Sequence, residues 1–236
     1  MNDKVKSLSA MIVICAIGLC FGIAAAQGYP TKPVRLIIPF PPGGSNDIVG
    51  RFIATKLTER LGKQVVADNR GGAGGVIGTE AAAKSEPDGY TLLIISSAYA
   101  INTSLYKLPY DPVKAFTPIA KLGTGPNVFA VHPGVPVNSV KEFIALAKEK
   151  PGQLNFAAAG VGSFQHLGSE LFKSMTGVDV GIVQFKGGGP AMIDVIGGHT
   201  RAALGSLIQF MPHMRFARFA AVQNSTGTRF WSITTR

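Results

Sequence analysis

The chain has 236 residues, 46% of them hydrophobic and 15% charged, and a formal net charge of +10. That length accommodates one large or two small domains. The basic residues are scattered without long runs, which argues against a nucleic-acid-binding stripe and weakly favours anionic solutes or an anionic membrane surface. Both cysteines, Cys15 and Cys20, lie among the first 26 residues, so the remainder excludes disulfides, thiol catalysis and cysteine metal sites.

In chain order, Lys4 and Lys6 outweigh Asp3 at the start, and a mostly apolar, uncharged run follows over residues 8–26, ending in three alanines before Gln27. A positive start, an apolar stretch and a small-residue end read as a cleaved secretory signal. A retained membrane anchor is the competing reading, since the run is nearly long enough to span a bilayer. Gly18, Gly22 and the alanine end argue against it. Neither cysteine sits in a convincing lipid-attachment motif. Cleavage after Ala26 would remove two lysines and one aspartate, leaving the chain basic.

Residues 34–38 (Val-Arg-Leu-Ile-Ile) predict a strand closed by Pro39. Ile48, Val49, Phe52, Ile53, Leu57 and Leu61 then recur at helical spacing, with Gly62 as the stop. Residues 65–67 predict a second strand. Residues 76–84 predict a small-residue helix, ended by Pro87-Asp88-Gly89, and residues 91–95 a third strand, expected to be buried on both faces. Strand, helix, strand, helix, strand implies a parallel sheet with right-handed crossovers.

A Gly/Pro-punctuated stretch, residues 116–133, leads into a second αβ series, with residues 122–131 expected to form the strand that crosses between two lobes. Ser139 and Glu142 form a capping box that opens a helix carrying Val140, Phe143, Ile144 and Ala147. Residues 154–158 predict a strand; Phe164, Leu167, Leu171 and Met175 mark a helix closed by Gly177. Residues 181–185 predict a strand, 191–196 a short helix and 201–204 a further strand. No internal repeat appears.

Four strand-to-helix junctions are rich in glycine or small polar residues: residues 41–47, 71–75, 159–163 and 186–190. Glycine lets a backbone approach a ligand without a Cβ in the way, and the first turn of a helix offers unpaired N–H groups and a partial positive charge. Such a site holds a carboxylate or phosphate without a basic side chain. In open α/β sheets these loops lie at the carboxyl ends of the strands. Asp47 would repel a bound carboxylate unless it hydrogen-bonds backbone donors or acts through water; it could equally serve as dipole compensation at a helix start. His166, in a first helical turn, faces either the cleft or a packing contact. Lys186 either contacts an anion or is simply solvated. His132, His199 and His213 lack metal-ligand spacing, so no metal and no cofactor is expected. Gly72, Gly74 and Gly78 miss the dinucleotide spacing by one residue, and there is no Walker A lysine or G-x-S-x-G elbow. A nucleotide-dependent α/β enzyme is therefore the distant alternative, and no catalytic residue is expected.

Five stretches carry a family likeness: Tyr29-Pro-x-Lys-Pro-Val-Arg-Leu-Ile-Ile-Pro39 running into Pro42-Gly-Gly-Ser-Asn-Asp47, Asn69-Arg-x-Gly-Ala-Gly-Gly75, Pro87-Asp-Gly-Tyr-Thr-Leu92, Gly162-Ser-x-x-His-Leu167 and Phe185-Lys-Gly-Gly-Gly-Pro-Ala191. Over residues 29–215 the chain resembles the extracytoplasmic solute receptors of tripartite tricarboxylate transporters, the Bug family of β-proteobacteria. The resemblance implies an α/β, two-lobed periplasmic-binding-protein fold of the type II kind. It implies a periplasmic protein that closes over a small carboxylate and delivers it to transporter membrane subunits. Such a protein has no nucleic-acid partner and is expected to act as a monomer. By the same likeness Gly43, Gly44, Ser45, Asp47, Ser97, Gly160, Ser163 and His166 would line the cleft, with backbone groups and bridging waters holding the ligand. The implied division is residues 1–26 as signal peptide, 27–124 as first lobe, 125–205 as second lobe, and 206–236 as a truncated return segment with an atypical tail.

Three departures accompany the likeness. Relatives usually carry Val-Pro-Tyr where this chain has Val183-Gln184-Phe185, and often an acidic residue near Arg201. They also continue well past Arg215, returning to the first lobe. Residues 216–236 show no clear helical or strand period and resemble a shifted reading frame or an unrelated end. The first lobe is therefore expected to be incomplete, with an unpaired sheet edge and exposed apolar surface. A non-functional fragment is the consequent alternative to a working receptor.

Overall fold

A computed structural model describes residues 28–213 together with the backbone strands Arg218–Val222 and Ser232–Ile233. The predicted signal segment lies outside the described residues.

The first half follows the strand–helix order read from the sequence. Strand β1 (Val34–Ile38) leads through the Pro/Gly loop into helix α1 (Ser45–Leu61), which Gly62 ends in a left-handed conformation. Strand β2 (Val65–Asn69) follows, then a 3-10 turn at Ala73–Gly75, helix α2 (Val76–Ala83), strand β3 (Thr91–Leu93) and helix α3 (Ser97–Leu105). The three strands form a parallel sheet in the order β2-β1-β3. β1, apolar except for Arg35, takes its centre, where Val34, Ile37 and Ile38 are fully buried. β3 is not the doubly buried strand expected. Among the described strands it pairs with β1 alone, its three residues are half-buried, and Ile95 beyond its end is exposed.

The second series builds a mixed sheet. Strand β4 (Asn127–Val131) is followed by α4 (Val140–Glu149), β5 (Asn155–Ala158), α5 (Phe164–Thr176), β6 (Gly181–Gln184), α6 (Gly188–Ile196), β7 (Ala202–Ser206) and the short α7 (Leu207–Phe210). The order is β6-β5-β7-β4, continued by β8 (Arg218–Val222) and β9 (Ser232–Ile233). The strand expected over residues 122–131 begins only at Asn127. It does not bridge the two sheets but lies inside the second, antiparallel to β7 and β8. The expected absence of strand structure in the tail is also corrected. Residues 218–222 pair along all of β4, because the exposed backbone edge of that strand supplies the ladder that the tail's own pattern does not advertise.

Local signals positioned several elements correctly. The capping signal is realised: the Ser139 hydroxyl accepts the Glu142 N–H at 3.1 Å, while the Glu142 carboxylate reaches back one residue past the cap to accept the Asn138 N–H at 2.8 Å. Helix α6 starts three residues earlier than predicted, at the second glycine of the triple-glycine run. Helix α5 has the expected bounds, but the stripe that marked it faces outward: Phe164, Leu167, Leu171 and Met175 are all exposed. Its inner face carries Ser169 and Phe172 instead, the latter packing on Phe129, Phe143 and Phe156.

Candidate functional site: a glycine-lined cleft between two sheets

In both sheets the loops at the carboxyl ends of the parallel strands turn toward each other. Between them lies a cleft of about 650 Å³, within the usual range for small-molecule sites. Residues 40–42 after β1, Asn69 and residues 71–75 after β2, and Tyr106 after α3 form one wall. Residues 159–161 after β5 and residues 185 and 186 after β6 form the other.

The two walls touch. At Gly74 φ is +62°, and a Cβ there would stand 2.6 Å from the Val161 carbonyl oxygen, so both the backbone turn and the close approach require glycine. The Tyr106 hydroxyl donates to the same carbonyl at 3.4 Å. At the far end, a Cβ on Gly189 would collide with the Pro42 carbonyl, and one on Gly43 would lie 3.5 Å from Gly189 Cα. The loop over residues 72–75 is held in positive φ throughout, Ala73 included at +45°, a strained backbone of the kind found at ligand clamps. The Asn102 amide secures it by donating to the Gly74 carbonyl at 3.0 Å.

Asp47 resolves its own ambiguity. It is buried in the first turn of α1 and accepts three hydrogen bonds: from the Gly43 N–H at 3.0 Å, Arg51 Nε at 2.9 Å and Asn69 Nδ2 at 2.9 Å. Burial pushes its pKa up, but the Gly43 N–H, Arg51 and Asn69 together outweigh that and hold it below the ordinary value. The carboxylate thus pins the 41–44 loop from inside. Asn69 is equally committed: Nδ2 also donates to the Phe40 carbonyl at 3.0 Å, and Oδ1 accepts Arg51 Nη2 at 2.8 Å.

Of the eight residues expected at the cleft, Gly160 forms part of its wall. Gly43 and Gly44 stand where the first loop meets Gly188 and Gly189. Ser45 is the first residue of α1, and Ser97 is the exposed first residue of α3; neither belongs to the wall. The Ser163 hydroxyl caps α5 by accepting the His166 N–H at 3.1 Å, and His166 Nδ1 accepts the Gly162 N–H at 3.4 Å. Both therefore brace the helix start behind Gly160. Phe40, Asn69 and Tyr106 were missed as wall residues; Tyr106 follows a helix C-terminus, where no glycine or capping signal draws attention. Among the described residues no cluster of three or more His, Cys, Asp or Glu side chains could hold a metal.

Residues 49–236 match the family described as tripartite tricarboxylate transporter family receptor. The chain belongs to this family. The match runs through residues 216–236. Protein BugT of Bordetella pertussis is 41% identical over 207 residues, 85% of this chain and 64% of BugT. A protein of R. palustris solved with adipate has 36% identity and a TM-score of 0.77 over 80% of this chain and 64% of that one. MatC of Rhodopseudomonas palustris, solved with bound malate, has 30% identity and a TM-score of 0.71 over 79% and 64%. The α/β architecture is accordingly that of the periplasmic binding proteins. The chain spans about two-thirds (64%) of the length of BugT.

Proposed function

We propose that this chain is the periplasmic solute receptor of a tripartite tricarboxylate-type uptake system, exported by its first 26 residues, and that it captures a small carboxylate. The observation that carries this reading is the convergence of glycine-rich strand ends from both sheets on one cleft. Peptide N–H groups at such turns and helix starts favour an anion without metal or covalent chemistry. Three or four charge-assisted hydrogen bonds of roughly 1.5–3 kcal/mol each supply the ~8 kcal/mol of a micromolar complex, before ordering costs. The adipate and malate bound by two relatives support the same ligand class.

In this reading residues 27–124 form the first lobe, 125–205 the second, and 206–236 the truncated return segment and tail, of which Arg218–Val222 and Ser232–Ile233 add strands to the second sheet. Gly160 meets the ligand. Gly43, Gly44 and Ser45 present the start of α1, and Ser97 the start of α3. Ser163 and His166 brace α5, and Asp47 holds the first loop in place. The receptor acts as a monomer that delivers its solute to membrane subunits and carries out no reaction. Thermal melts with adipate, malate and other small carboxylates test it. Binding at a hundred times Kd should stabilise the fold by about 2.7 kcal/mol. Melts indifferent to every carboxylate would leave only the non-functional alternative.

A further inference from the structure

Resting on that receptor reading, we propose that Gln209 is a positioning residue for carboxylate capture. Through the Gly188 carbonyl it aims the backbone donors at the start of α6, and through Gln165 it ties them to the start of α5. Gln209 belongs to the short α7, outside the cleft wall, and is only 3% exposed. Its amide is engaged at both ends. Nε2 donates to the Gly188 carbonyl at 2.9 Å, and Oε1 accepts from Gln165 Nε2 at 3.3 Å. A backbone carbonyl can only accept, so the amide has one orientation that serves both partners. The amide also lies against Gly188: a Cβ there would stand 2.8 Å from Oε1 and 2.9 Å from Nε2, so a side chain at 188 and Gln209 exclude each other.

Gly188 is the first residue of α6, in the turn that follows the wall residues Phe185 and Lys186. A trans peptide unit is planar, with its C=O and N–H pointing in opposite directions. Holding the Gly188 carbonyl therefore fixes where the Gly189 N–H points. The first lobe meets the turn at the same place, since a Cβ on Gly44 would lie 3.6 Å from Gly188 N and 3.7 Å from Gly189 N. As a first-turn carbonyl, Gly188 also has the helix's own donor four residues on, so the bond from Gln209 adds direction more than satisfaction. Gln165 stands in the first turn of α5, beside the Ser163 cap and behind Gly160. One buried side chain thus links two helix starts of the second lobe. Donors held in place beforehand need no ordering when the anion arrives, which leaves more of their hydrogen-bond energy for affinity.

Isothermal titration with adipate, malate and citrate tests the assignment, on variants whose folded fraction is checked by circular dichroism. Gln209→Met keeps the side-chain length and removes both hydrogen bonds; it should weaken whichever acid the unaltered chain binds by about tenfold. Gln165→Met should weaken it about threefold, and because Gln165 is half-buried this variant keeps the test open should Gln209→Met not fold. The double variant should bind no more weakly than Gln209→Met alone, because both changes break one linked unit. Amide hydrogen exchange of the free protein should quicken at residues 187–191 in Gln209→Met and stay unchanged at residues 97–105, a local effect that a general loss of packing would not give. A lowered melting temperature with affinity unmoved, or losses that add in the double variant, overturns the positioning role and leaves the receptor reading intact. Failure of the unaltered chain to bind any of the three acids overturns both.

Discussion

The two sheets begin from the same strand–helix–strand chemistry but hold their cores by different means. In the second, Phe129, Phe143 and Phe156 are buried to 1% exposure or less and form a four-ring cluster with Phe172, centroids 4.9–6.1 Å apart. The rings meet mostly edge to face or tilted, an arrangement that adds to the burial of their area. Its strand β4 is paired along both edges. The first sheet rests on an aliphatic cluster, Val34, Leu36, Ile38, Ala54, Val65 and Ile94, and among its described strands β3 is an open edge. Ile95, Val113, Ile119 and Leu122, which follow β3 in the chain, are exposed. The second sheet thus carries its stability in a few large side chains; the first spreads a smaller amount over many short ones.

The contrast can be broken by single substitutions. Phe156→Ala removes a fully buried ring in contact with the other three and should cost about 3–5 kcal/mol in urea melts. Ile38→Ala in the first sheet should cost less, about 2–3 kcal/mol, because it removes three side-chain carbons where Phe156→Ala removes a whole ring. If Ile38→Ala matched or exceeded Phe156→Ala, the aromatic cluster would not be the stronger core.

A smaller effect, about 1.5 kcal/mol, is expected for Asp47→Asn, which weakens charge-assisted hydrogen bonds at the loop facing the second sheet. The sign of its pH dependence follows from a folded-state pKa held below the ordinary 3.8. A depressed carboxylate stabilises the fold fully above the unfolded value and loses that contribution as pH falls through the folded one. Melts of the two proteins should therefore differ by a constant amount near neutrality and converge at acid pH below 3.8. A gap that widened on acidification would contradict the assigned hydrogen bonds.

Much of this was legible in advance, because the signals were local. Val34 to Ile38 is a β-rich run, apolar except for Arg35 and bounded by prolines, and it became the central buried strand. Ser139 and Glu142 fixed a helix start three residues apart, and Gly62 and Gly177 ended helices in the left-handed conformation. The failures were non-local. The stripe on α5 predicted a helix correctly but not its orientation, since Phe172 won the inward position by fitting among three other rings drawn from distant segments. The tail strand Arg218–Val222 was missed because its ladder is supplied by β4 and not by its own periodicity.

The sequence by itself determined the order of strands and helices and marked the glycine-rich turns where an anion could be held, because turn geometry and helix caps depend on residues only a few positions apart. Only the tertiary structure decided that residues 71–75 face residues 159–161, and that Asp47 and Asn69 are spent on each other and on backbone groups. Those outcomes depend on which distant groups reach hydrogen-bonding distance, and that is fixed by the packing of the two sheets as wholes.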